Sequence, residues 1–173
     1  LLAFLAQGAC LGAGRMSGMK VILVGAGIGG LAAANALLRG GHTPIVLEQA
    51  TALGEVGAGV QLGPNATRVL QAMDLLEPLM TRAVTPEAAM IFSYKSGEAL
   101  RKVAFADALK STFGFPYLHM YRPDLLDGLA HGYEGDLHLG AKTISIIEEP
   151  GRVGARLENG ETVWGDVLVG CDG

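Results

Sequence analysis

Basic clusters and cysteines are both scarce in this 173-residue chain, and each scarcity removes a class of function. With 13 Lys and Arg against 17 Asp and Glu, a net charge of −4 and no basic patch, the chain offers no multivalent grip to a nucleic-acid backbone or an anionic membrane. Neither nucleic acid nor membrane is expected as a partner. The two cysteines, Cys10 and Cys171, make neither a disulfide framework nor a metal-ligand spacing, so no metal is expected and a reducing, cytoplasmic location fits. Residues 1–13 are apolar, but they lack the basic lead of a secretory signal and fall short of the about 20 residues that span a bilayer. Disorder is excluded from the other side: half of the residues are apolar and only 17% are charged.

Glycine, by contrast, is abundant at 26 residues, with no G-X-Y period that would signal collagen. Lys20-Val21-Ile22-Leu23-Val24 reads as a strand buried on both faces. After a glycine-rich turn, Leu31–Arg39 is made of strong helix formers and stops at Gly40-Gly41. Pro44–Glu48 is a second buried strand, which completes a βαβ unit with parallel strands. Residues 49–63 read as a loop, followed by a helix from Pro64 to about Met73 and a further turn or two over Leu75–Thr81. Ala89–Tyr94 and Ala99–Phe105 suggest a hairpin around Lys95-Ser96-Gly97-Glu98. Beyond it the pattern predicts a strand at Phe115–Tyr121 and a helix over Pro123–Gly132. Three short strands (Thr143–Glu148, Arg152–Leu157, Glu161–Val163) and a last apolar strand over Asp166–Val169 follow. Residues 1–18 are taken as a leader ahead of a fold that starts near Met19, and the stop just past the last strand as the mark of a fragment.

The chemistry sits in Gly25-Ala26-Gly27-Ile28-Gly29-Gly30, a G-x-G-x-x-G run between a buried strand and a helix. Gly25 permits the tight turn, Gly27 lets the backbone approach a pyrophosphate, and Gly30 lets the helix pack close to the sheet. The helix start then offers free N–H groups and a partial positive charge to phosphates. Glu48, 18 residues past Gly30 at the end of the next strand, is placed to accept hydrogen bonds from both ribose hydroxyls and to repel a 2′-phosphate. Gln49 beside it joins the cofactor-binding candidates. This unit alone does not choose between FAD and NAD. The three-strand run before the final strand is similar to flavoprotein versions of the fold.

Further motifs carry a resemblance. Gly54-Glu55-Val56-Gly57-Ala58-Gly59-Val60-Gln61-Leu62-Gly63-Pro64-Asn65-Ala66, then Tyr121-Arg122-Pro123-Asp124-Leu125-Leu126, then Asp166-Val167-Leu168-Val169-Gly170-Cys171-Asp172-Gly173, resemble segments of the single-component (group A) FAD-dependent aromatic hydroxylases. The salicylate, 3-hydroxybenzoate and 6-hydroxynicotinate hydroxylase branch is most similar. The resemblance covers residues 19–173 and implies an α/β fold: a Rossmann-like FAD-binding domain, a parallel sheet with a β-meander, incomplete at its C-terminus. It assigns residues 19–82 and 116–173 to that domain and 83–115 to the first strands of a substrate domain.

By the same resemblance, Arg122 contacts FAD, Thr143 offers a backbone group near the adenine, and Asp172 serves flavin and the reducing nicotinamide. Gln61 matches a position facing flavin and substrate, where the 6-hydroxynicotinate branch carries histidine. An amide is no general base, which weakens 6-hydroxynicotinate as a substrate. His119 and His131 are read as structural, and the catalytic residues stay unknown. The implied activity of the intact protein is hydroxylation of a small aromatic compound, an aromatic carboxylate, with FAD as cofactor, NADH or NADPH as transient reductant, and O2. A homodimer is compatible with it. The fragment alone is expected to lack turnover. Two alternatives stay open: an FAD- or NAD-linked reductase or dehydrogenase without oxygen chemistry, and a non-catalytic nucleotide-binding module.

Overall fold

The computed structural model describes residues 18–54, 57–104 and 106–172; residues 1–17 of the proposed leader with Cys10, Glu55 and Val56 of the second motif, Phe105 at the end of the expected hairpin, and Gly173 of the last motif lie outside them. In chain order the elements are β1 (Lys20–Val24), α1 (Ile28–Arg39), β2 (Thr43–Glu48), β3 (Gly59–Leu62), α2 (Pro64–Ala72), α3 (Leu76–Met80), β4 (Ala83–Val84), β5 (Ala88–Phe92) and β6 (Ala99–Ala104). Then come α4 (Ala106–Phe113), β7 (Leu118–Tyr121), α5 (Arg122–His131), β8 (Asp136–Leu139), β9 (Thr143–Glu149), β10 (Arg152–Leu157), β11 (Thr162–Gly165) and β12 (Val167–Gly170). The described residues divide into two compact units, 18–54 with 129–172, and 57–104 with 106–128.

The first unit is built on a four-stranded, all-parallel sheet in the order β12-β1-β2-β8. Its two inner strands, β1 and β2, are apolar and buried at their centres, over Val21–Leu23 and Pro44–Leu47, because both faces are covered there. On one face packs an antiparallel meander, β11-β10-β9. Ala155 and Leu157 of the meander share a core with Ile22, Ile45, Leu47 and Leu168 of the sheet. α1 buries Gly30, Leu31, Ala34 and Asn35, two of them small enough for a close approach of the helix backbone. Ile22, Leu23, Leu31, Val46 and Leu47 are fully buried, each contributing roughly 1.5–3 kcal/mol.

α1 ends where Gly40-Gly41 predicts it. The His42 N–H donates to the Leu37 carbonyl at 3.0 Å and the Gly41 N–H to the Leu38 carbonyl at 3.1 Å, with Gly41 at φ +79°. That paired closure is a Schellman motif, which needs a left-handed residue at the position Gly41 holds.

The second unit contains a three-stranded antiparallel sheet, β3-β7-β4, the β5-β6 hairpin, and α2, α3 and α4. Inside it the buried Thr67 hydroxyl donates to the Pro116 carbonyl at 2.8 Å and ties α2 to the segment leading into β7.

Several boundaries differ from the sequence reading. The stretch read as a loop over residues 49–63 contains β3, paired with β7 from Gly59↔Tyr121 to Leu62↔Leu118. Its glycines mask a strand whose stability comes from that partner rather than from local propensity. β8 was not foreseen: four residues with two apolar side chains give little periodicity, yet register pairs from Ile45↔Asp136 to Glu48↔Leu139 make it the fourth parallel strand. α4 was missed for the same lack of a long pattern. α1 starts at Ile28, inside the glycine run, three residues before the helix formers do.

Tyr133 is a polar anchor of the first unit. Only 7% exposed, it donates its hydroxyl to the Pro44 carbonyl of β2 at 2.7 Å. Burial, with help from the Asp136 charge, pushes its pKa up from 10.0 to about 12. The folded state therefore holds this proton where the unfolded chain has lost it. Its contribution to stability is complete below pH 10 and declines as pH rises through 10 to 12. Tyr133→Phe is expected to cost about 1–2 kcal/mol at neutral pH and to flatten the alkaline loss of stability in that window, as read by urea melts at pH 7 to 12.

Candidate functional site: a dinucleotide cradle

Parallel register gathers the site at the carboxyl ends of the strands. Val24 pairs with Gly170 on one side and Leu47 on the other, and Glu48 pairs with Leu139. The glycine turn, the end of β2 and the segments after β8 and β12 thus meet along one edge. In an open parallel sheet that edge, where the order reverses around β1, is where ligands bind.

The four glycines of the turn divide into two kinds. Gly25 has φ +109°, and a Cβ there would lie 2.7 Å from the Cys171 carbonyl oxygen and 2.9 Å from the Asp172 nitrogen. At Gly30 a Cβ would overlap the Gly25 carbonyl oxygen. These two glycines are demanded by the fold. A Cβ at Gly27 or Gly29 would meet nothing within 4 Å. Their open side is the space a diphosphate needs in order to approach the backbone. Behind it, α1 begins with Gly27 as N-cap, no side-chain cap bond and no acidic residue in its first turn; the first intrahelical bond runs from Leu31 N–H to Gly27 O at 3.0 Å. The N–H groups of residues 28–30, which precede that bond, have no intrahelical acceptor.

Glu48 faces this turn. Its Oε2 accepts the Ala26 N–H at 2.7 Å and its Oε1 the Ala50 N–H at 2.8 Å. A carboxylate has about four acceptor directions, so two bonds hold it in place and leave capacity for a ribose diol. Around it, the Ala141 N–H donates to the Glu48 carbonyl at 2.7 Å and the Gly140 N–H to the Ala50 carbonyl at 2.8 Å. Gln49 between them is exposed. Thr143, the first residue of β9, has a buried hydroxyl oxygen without a hydrogen-bond partner. Such a group costs about 1–3 kcal/mol until something satisfies it.

Asp172 is exposed just past β12, where the Cys171 N–H donates to the Val24 carbonyl at 2.7 Å. Burial first, then the Asp172 charge, raises the Cys171 thiol above its ordinary pKa, away from thiolate chemistry. Gly25–Gly30, Glu48, Gln49, Thr143 and Asp172 all belong to the first unit.

Arg122 and Gln61 belong to the second unit. Arg122 is the half-buried first residue of α5, its N–H bonded to the Ala58 carbonyl at 3.1 Å. Gln61 lies on β3 opposite His119 of β7, and its amide oxygen accepts the Tyr117 hydroxyl at 2.7 Å. The sequence reading did not single out Tyr117. Its spacing of two from His119, within the stretch read as a strand over Phe115–Tyr121, is the signal that could have found it. His131 closes α5, exposed.

This arrangement defines a class: an α/β protein with a glycine turn inside a βαβ unit, an acid fixed against that turn at the end of the second strand, and a meander covering the sheet. The FAD binding domain family model matches residues 18–173, and the chain belongs to that family. It is 35% identical over 159 residues to 3-hydroxybenzoate 6-hydroxylase of Polaromonas naphthalenivorans (strain CJ2), covering 90% of this chain and 40% of that protein. To 6-hydroxynicotinate 3-monooxygenase of Pseudomonas fluorescens it is 28% identical over 155 residues, covering 89% and 40%. The tetrameric form of 2-methyl-3-hydroxypyridine-5-carboxylic acid oxygenase superposes with a TM-score of 0.75 at 27% identity, over 90% of this chain and 39% of that one. The chain therefore spans about 40% of the length of the curated relatives it matches. The flavoprotein hydroxylase fold expected from the motifs is the fold found.

The glycines yield a paired prediction. Gly30→Ala is expected to destabilise the fold by about 2 kcal/mol or more through its clash with the Gly25 carbonyl. Gly27→Ala is expected to change stability by about 1 kcal/mol or less while weakening FAD binding about tenfold. Thermal melts and flavin fluorescence titrations separate the two.

Proposed function

We propose that the intact protein is an FAD-dependent monooxygenase that hydroxylates a small aromatic carboxylate with NADH or NADPH and O2. The observation that carries the reading is the cradle: a backbone turn open at Gly27, a helix start without a side-chain cap, and a carboxylate fixed by the Ala26 N–H. The hydroxylase and monooxygenase names of its relatives support the oxygen chemistry. Within this proposal the N–H groups of residues 28–30 bind the diphosphate, Glu48 orients the adenosine ribose, and Gln49 flanks it. Ala26, Ile28 and Gly29 form the wall of the turn. Glu48 also disfavours any dinucleotide bearing a 2′-phosphate at this position, through like-charge repulsion. Thr143, on the resemblance, offers a backbone group near the adenine. On the resemblance, Arg122, Asp172 and Gln61 also serve the cofactor, and residues 83–115 begin the substrate domain. When bound, FAD supplies hydride acceptance and activation of O2; the protein's part is to bind, orient and exclude water.

A homodimer and a cytoplasmic location belong to the same proposal. The tetrameric relative supports oligomerisation without fixing the number of subunits. The test has two stages. The 173-residue chain is expected to quench flavin fluorescence on binding FAD, with affinity falling about 10-fold or more in Glu48→Ala, and to show no turnover by itself. A version extended to the length of its relatives is expected to consume NAD(P)H and O2 and release a hydroxylated aromatic acid. NAD(P)H oxidation without hydroxylated product would instead favour the reductase reading.

A further inference from the structure

We propose that Tyr117 is a positioning residue that locks the Gln61 amide as a hydrogen-bond donor, so that the ligand atom meeting Gln61 is an acceptor oxygen, carboxylate or carbonyl. The inference rests on the reading of Gln61 as a ligand-facing residue and adds its polarity, which the sequence leaves undecided because an amide offers both a donor and an acceptor end.

In the structure the acceptor end of the amide is the one taken. Gln61 and His119 are directly opposed on β3 and β7, and Val84 of β4 flanks His119 on the other side. Tyr117 stands just ahead of β7, two residues before His119, and its ring meets the His119 ring edge-on at 5.4 Å and 62°. Held there, the Tyr117 hydroxyl donates to Gln61 Oε1 at 2.7 Å. A flipped amide would set its NH2 against the Tyr117 hydroxyl, which then has to turn its own proton elsewhere. The observed orientation consumes the acceptor end and leaves both amide hydrogens for a ligand. Gln61 is exposed, and its side chain makes no other hydrogen bond among the described residues. Such a site favours an aromatic carboxylate or a ring carbonyl over a ligand that offers only donors, because a donor facing the locked NH2 loses its hydrogen bond to water without replacement.

The shared chemistry, an acceptor oxygen, has two sources, the substrate or the flavin ring, and two titration arms separate them. Side-chain 15N–1H signals of Gln61, assigned by their loss in Gln61→Leu, are followed as 3-hydroxybenzoate or, separately, FAD is added to the 173-residue chain. The expected result is that one of the two shifts the Gln61 pair. Tyr117→Phe, which keeps the ring against His119, should then weaken that ligand about 5-fold and move the Gln61 signals of the free chain. Gln61→Glu, which replaces the donor end by a charge, should weaken 3-hydroxybenzoate more strongly than Tyr117→Phe does if the carboxylate is the acceptor. Unchanged Gln61 signals and affinity in Tyr117→Phe overturn the proposal, as does a Gln61 pair that neither ligand moves. Flavin fluorescence in the same samples judges the dinucleotide reading independently. Quenching with an unmoved Gln61 pair sinks only the Tyr117 lock, whereas no quenching with a pair shifted by 3-hydroxybenzoate sinks the dinucleotide reading and sustains the lock.

Discussion

A single carboxylate organises the first unit's ligand edge. Glu48 ends β2, and by accepting the Ala26 N–H it ties that strand end to the glycine turn after β1. Its second oxygen takes the Ala50 N–H and fixes the chain that leaves the sheet. Without an acceptor, the Ala26 N–H of a buried residue would carry the cost of an unsatisfied donor. The same bond that closes the turn therefore fixes the acid where the proposed dinucleotide reading requires it. Fold stability and ligand geometry are coupled through one side chain, which explains why a turn with so little side-chain bulk can hold a defined shape.

The glycines show how that shape is divided between fold and ligand. Gly25 and Gly30 answer to neighbours inside the protein, the Cys171–Asp172 backbone and the turn itself. Gly27 and Gly29 answer to nothing inside it. The sequence writes all four with the same letter, and only coordinates separate those that build the turn from those that leave room. This is also why the spacing could identify the cradle without saying which position tolerates a side chain.

Legibility followed the range of the interactions. β1, α1 and β2 were readable because buried parallel strands are continuously apolar and because Gly40-Gly41 ends a helix by a local rule. Pro64 likewise marked the start of α2. β3 and β8 were not, since each is a four-residue strand whose existence depends on a distant partner, β7 for one and β2 for the other. At the site, Glu48 and the glycine run were legible from spacing. The two backbone bonds that fix the Glu48 carboxylate, the unpartnered Thr143 hydroxyl and the Tyr117–Gln61 contact were not, because they depend on rotamers and strand register that no motif encodes.

The most direct test of the central claim is a crystal structure of the chain with FAD. The account predicts diphosphate oxygens within about 3 Å of the backbone nitrogens of residues 28–30 and the adenosine ribose hydroxyls on the Glu48 carboxylate. A diphosphate seated away from the start of α1, or a ribose that does not touch Glu48, would contradict it.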